Sequence, residues 1–113
     1  MLFVEKNLKE VNWANEKQRK EEMWDASGIL YKKTNQIYKY DLSPIKKFND
    51  GSVGKNGKFN SKADKMLFEF KDNWIIVDVE ELNKYVKHNN KKDILLKEIL
   101  EKLDWNIILN KNE

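Results

Sequence analysis

The chain reads as an α+β domain: an N-terminal helix, a small antiparallel sheet of two hairpins plus a C-terminal strand, and two C-terminal helices. Three observations predict this. Residues 5–25 contain no Gly or Pro and are dominated by strong helix formers. Residues 29–41 and 66–79 alternate apolar with polar or aromatic side chains around turn-forming residues. Residues 80–103 carry apolar side chains at helical spacing. At 113 residues the chain is one domain, residues 1–113, with no room for a second core.

In chain order, Leu8, Val11 and Ala14 give the first helix a short apolar stripe, and Trp13 and Trp24 return to nearly the same helical angle. Ser27-Gly28 supplies its stop. The next stretch, ILYKKTNQIYKYD, predicts a hairpin turning near Thr34-Asn35, with Tyr31 opposite Tyr38 and Ile29 opposite Tyr40. Residues 42–60 hold the only Pro and three of the four Gly, so a long loop is expected there, with room for a short ribbon. Ser61 and Asp64 have capping-box spacing.

MLFEF and WIIVDV then form a hairpin around Asp72-Asn73, pairing Lys71 with Trp74 and Glu69 with Ile76. Met66, Phe68, Phe70, Ile75, Val77 and Val79 share the face that must be core. Asp78 caps a helix that buries Leu82, Tyr85 and Val86 and ends at Asn89-Asn90. Asp93 is expected to cap the helix ILLKEILEKL, and WNIILN alternates as a final strand.

Composition narrows the function. Hydrophobic residues are 40% and charged residues 36%, yet four Trp, four Tyr and five Phe are too many for a disordered chain. The absence of cysteine excludes disulfides, zinc ribbons and thiol nucleophiles and fits a reducing cytoplasm, the expected location. No run of about 18 apolar residues exists to cross a membrane, and MLFVEKNLKE lacks a signal-peptide core. No cofactor is expected. The single His88 sits at a helix end, where solvent titration is the ordinary role rather than metal ligation.

The net charge of +3 is unevenly spread. Residues 1–27 sum to −1 and residues 66–113 to −2, while residues 28–65, with nine Lys against three Asp, sum to +6. This segment interleaves Lys32, Lys33, Lys39, Lys46, Lys47, Lys55, Lys58, Lys62 and Lys65 with Tyr31, Tyr38, Tyr40, Phe48 and Phe59. Lysines neutralise phosphates and aromatic rings stack on bases, so nucleic acid or a nucleoprotein complex is the expected partner, engaged by those lysines with Tyr38, Tyr40 and Phe48. Only Arg19 is Arg, which argues against base-specific reading through bidentate contacts. An AT-rich genome also explains an excess of Lys and Asn.

Glu69-Phe70-Lys71 raises a metal-dependent nuclease as an alternative. Such a site needs two carboxylates for Mg²⁺ and a Lys beside the attacking water. Asp41 or Asp50, Glu69, Lys71 and Asp78 are the candidates. The same E-x-K also arises readily on the wet side of a strand in a chain this charged.

GKFNSKADKMLFEFKDNWIIVDVEELNKYV, residues 57–86, resembles the C-terminal part of small phage- and plasmid-encoded PD-(D/E)xK-like proteins. The resemblance rests on Ser61, Lys62, Ala63 and Asp64, on Trp74 to Asp78 and on Leu82, about a quarter of the chain. It implies an S/T-K-A-D turn, a strand, a tight turn, an aliphatic strand and a Leu-bearing helix. In that family the acidic and E-x-K residues precede the turn; here IYKYDLSPIKKFND has no E-x-K. The resemblance therefore implies a scaffold without the metal site, and Glu69 and Lys71 take no catalytic role from it. Small size and missing catalytic groups also fit an anti-defence inhibitor of the anti-CRISPR kind, binding a host defence protein.

Overall fold

The computed structural model describes residues 2–31, 33–42, 46–47, 53–56, 61–70, 72–90 and 93–111. The elements are α1 (Leu2–Asn7), β1 (Leu8–Trp13), α2 (Glu16–Glu21), β2 (Ala26–Leu30), β3 (Ile37–Asp41), β4 (Lys46–Lys47), β5 (Val53–Asn56), β6 (Lys65–Glu69), β7 (Asn73–Asp78), α3 (Val79–His88), β8 (Asp93–Leu95), α4 (Leu96–Lys102) and β9 (Asn106–Asn110). Six strands form one sheet in the order β1-β2-β3-β6-β7-β9, and β4-β5-β8 form a second. Every pairing is antiparallel except β3 with β6. The α+β class stands, with a mixed, mostly antiparallel sheet and four short helices.

The β6–β7 hairpin fixes the centre. Its pairs are Lys65 with Asp78, Leu67 with Ile76 and Glu69 with Trp74. This is two residues away from the expected register, because the hairpin closes one residue earlier: the Phe70 N–H bonds to the Asn73 carbonyl. A slip of two keeps every side chain on its face. Met66, Phe68, Ile75, Val77 and Val79 therefore do form the core under α3 and α4, joined by Leu82, Val86, Ile94, Ile99 and Leu103. The opposite face is buried as well. Leu67, Trp74 and Ile76 pack with Tyr40, Leu30 and the α1 residues Phe3 and Val4. The Phe3 ring meets Trp74 edge-on at 5.7 Å between centroids, a favourable aromatic geometry.

The single helix expected over residues 5–25 is instead α1, β1 and α2. Its apolar stripe is too thin to hold a long helix against a core. Pairing β1 with β2 buries Leu8 beside Leu30, and this tertiary gain overrides helix propensity. Register continuity fails between Lys9 and Asn12, where Glu10 adopts φ 55° and the strand bulges opposite Gly28. Ser27 and Gly28 are not a helix stop. A Cβ at Gly28 would stand 3.0 Å from the Lys9 carbonyl oxygen and 3.3 Å from the Leu8 Cβ, so glycine lets β1 approach this closely. Asn15 starts α2: its side chain accepts the Gln18 N–H while Gln18 reaches back to the Asn15 N–H.

The β2–β3 hairpin is three residues out of the expected register, pairing Gly28 with Tyr38 and Ala26 with Tyr40. An odd slip reverses the faces of one strand against the other. Leu30 thus joins Tyr38 and Tyr40, and Ile29 joins Ile37 and Lys39. The turn holding Thr34, whose hydroxyl accepts the Leu30 N–H, is longer than a two-residue loop. Ser61 and Asp64 do not cap a helical turn. The Ser61 hydroxyl accepts the Ala63 N–H, and the Asp64 carboxylate accepts the Lys39 N–H, tying this segment to β3.

Asp78 caps α3 as expected, accepting the Glu81 N–H at 3.0 Å. Asp93 does not cap the next helix. It opens β8, paired with Asn56, and α4 begins three residues later. The expected terminal strand is β9, on the edge of the large sheet.

Candidate nucleic-acid interface

The fold divides the described lysines of this segment among four settings. Lys46 and Lys47 lie on β4 and Lys55 on β5, where Lys46 pairs with Gly54 and Lys47 with Val53. Backbone pairing therefore gathers three lysines, eight or nine residues apart in sequence, onto one small ribbon. Lys33 and Lys62 are exposed. Lys32, Phe48, Asp50, Lys58 and Lys71 lie outside the described residues.

Lys39 is engaged within the molecule, its ammonium 3.5 Å from Glu22 and 5.3 Å from the centre of the Trp24 ring. Such a half-exposed pair contributes little to stability but locally offsets one positive charge.

Lys65 is removed from the patch altogether. It is only 6% exposed. Its Nζ donates to Asp78 Oδ1 at 2.8 Å and lies 3.8 Å from the centre of the Trp105 ring and 4.6 Å from that of Tyr38. Sheet register builds this niche: Tyr40, Lys65 and Asp78 are lateral neighbours on one face. Trp105 enters from the end of β9, held by the Glu81 carboxylate, which accepts the Asp104 and Trp105 N–H groups. A buried ammonium needs this compensation: one carboxylate and two ring faces replace its water.

Beside the niche lies a cavity of about 330 Å³ lined by Lys33, Thr34, Tyr38, Asp104, Trp105, Asn106 and Ile107. It offers two partly exposed aromatic walls and an ammonium on its rim. Trp105 escaped the sequence reading because its place depends on β9 docking beside β7, more than 25 residues downstream.

The aromatic set changes too. Tyr40 is fully buried, so its ring is closed to a base. Its hydroxyl is buried without a hydrogen-bond partner, and burial, aided by Tyr38 and Asp64, holds its pKa far above the ordinary 10.0. Tyr38 is half-buried with Lys65 over its ring. Tyr31, by contrast, is 55% exposed, and the Lys9 ammonium stands 5.7 Å from its ring centre. Lys9 could not be placed here from sequence, since β1 reads as helix.

The nuclease candidates do not converge. Glu69 and Asp78 share a sheet face but stand at opposite ends of the hairpin, four residues or roughly 13 Å apart along β7. Asp41 pairs with Met66 and so belongs to the other face. The Glu69 carboxylate accepts the Trp74 indole N–H at 3.2 Å and pairs with Lys111 at 3.0 Å. Asp78 holds Lys65 and caps α3. Among the described residues no group of three or more His, Asp or Glu could hold a metal. No helix among them is long and apolar enough to cross a membrane. His88 is exposed in the last turn of α3.

No family model, curated protein or solved structure matches the chain.

Proposed function

We propose that this protein is a small non-enzymatic binding protein that engages nucleic acid, free or within a nucleoprotein complex, through its basic central segment. The observation that carries this reading is the β4–β5 pairing, which concentrates Lys46, Lys47 and Lys55 on one ribbon. Lys33 and Lys62 add exposed lysines from the same segment, and Tyr31 with Lys9 supplies an exposed ring beside an ammonium. This combination suits a phosphate backbone with accessible bases and carries no bidentate Arg for base identity. The reduced charge around Lys39 and Lys65 leaves the ribbon, Lys33, Lys62 and the exposed tyrosine as the contact set rather than the whole segment.

The test is fluorescence anisotropy with mixed-sequence single-stranded and duplex DNA and RNA across a salt series. If Lys46, Lys47, Lys55 and Lys58 each neutralise one phosphate, replacing all four by Ala flattens the log–log salt dependence on duplex DNA by about 3.6. Binding that ignores salt, or an unchanged slope in the variant, removes the proposal. Capture of a host protein with no affinity for nucleic acid moves the chain to the inhibitor reading. Cleavage in magnesium, abolished by Glu69→Ala, moves it to the nuclease reading.

A further inference from the structure

The two edges of the large sheet are built differently. β1 is a guarded edge: Glu10 bulges it at positive φ, and the charged side chains of Glu10 and of the preceding Lys9 are exposed. Bulges and charges are the usual protection against edge-to-edge pairing. β9 has neither. Its register with β7 is continuous from Asn106 to Asn110, and Asn-Ile-Ile-Leu-Asn contains no charge and no Pro. Among the described residues it pairs on one side only. Its apolar side chains are also incompletely covered. Ile107 and Leu109 face the core with Trp74 and Ile76 yet are only partly buried, and Ile108 on the other face is 49% exposed.

We propose that β9 is the self-association edge of this protein, and that its occupant is β9 of a second copy, related by a two-fold axis at Ile108. The strand is self-complementary in polarity when reversed. An antiparallel pair centred on Ile108 places Asn106 against the second copy's Asn110, Ile107 against its Leu109 and Ile108 against its Ile108. Apolar meets apolar at the three central positions and amide meets amide at both ends, an arrangement that cross-strand pairing rewards. The flanks agree as well. Asp104 and Trp105 precede the strand and Lys111 follows it, so reversal brings an acidic and aromatic end beside a basic one. The interface is isologous and closes at two copies, giving one continuous sheet of twelve strands, six from each chain.

The test uses the full chain in light scattering and sedimentation equilibrium. The expected result is a concentration-dependent dimer that Ile108→Lys weakens at least about tenfold, since facing lysines repel and the Ile pair is lost. Thermal melting of the variant checks that its fold persists. Because the chain has no cysteine, Ile108→Cys gives an independent readout: mild oxidation yields a disulfide-linked dimer, whereas Asn12→Cys on the β1 edge does not. A chain that stays monomeric up to about 100 μM, where only contacts weaker than roughly 5.5 kcal/mol go undetected, overturns the proposal. So does an Ile108→Lys variant that remains dimeric, or equal cross-linking at positions 12 and 108.

Discussion

Removing the carboxylate of Asp78 is expected to cost far more stability than removing the ammonium of Lys65, although both acts break one ion pair. The two side chains differ in their access to water: 7% of the Lys65 side chain is exposed against 27% for Asp78. Asp78→Ser keeps a helix cap but strands an ammonium under Trp105 and Tyr38, and an uncompensated buried charge costs about 3 kcal/mol or more. Asp78→Ala adds the loss of the cap, about 1 kcal/mol, for a total near 4 kcal/mol. Lys65→Met leaves a carboxylate that still accepts the Glu81 N–H and reaches water, while the methionine chain keeps its packing. Its cost is about 1–2 kcal/mol, with lost cation–π attraction included. The measurement is urea unfolding of the three variants and of Lys65→Met/Asp78→Ser. The double variant should cost less than the sum of its parts, because it leaves no orphan charge. Equal losses for Lys65→Met and Asp78→Ser, or simple additivity, would refute the niche as the reason Lys65 is buried.

Other residues give similarly direct outcomes. Tyr40→Phe removes a buried hydroxyl without a partner and should leave stability unchanged or raise it by about 1 kcal/mol in urea unfolding. The same group sets an alkaline limit. Its pKa is raised in the folded state, so its contribution is intact below pH 10.0, where tyrosine ionises in the unfolded chain, and is lost as pH rises beyond that. A pH series of melts should show wild type losing stability above this point more steeply than Tyr40→Phe. Gly28→Ala forces a Cβ against the Lys9 carbonyl and should cost about 1–2 kcal/mol, read as an earlier melt; a neutral result would mean that β1 can move away freely. Asn15→Ala should lower stability by about 1 kcal/mol, with Asn15→Ser close to wild type in the same melts.

Local chemistry made several elements legible. The β6–β7 hairpin, its core face, the Asp78 cap and the terminal strand were readable because a period of two, a capping carboxylate and a short alternating run act over a few residues. The same locality explains the failures. Residues 5–25 have the composition of a helix, but Leu8 finds more burial beside Leu30 than along a lone helix. The Thr34 turn left its length open, and an error of three residues exchanged faces, whereas the error of two in β6–β7 did not.

By itself the sequence determined the class, the α3 cap, the aliphatic β7 strand and an excess of positive charge between residues 28 and 65. Tertiary structure decided which of those charges reach solvent. Lys65 lies inside because parallel pairing of β3 with β6 and the docking of β9 assemble Tyr38, Asp78 and Trp105 around it, from positions 13 to 40 residues away. A periodicity reports what neighbouring residues prefer. Desolvating an ammonium depends on groups that only chain closure can bring together.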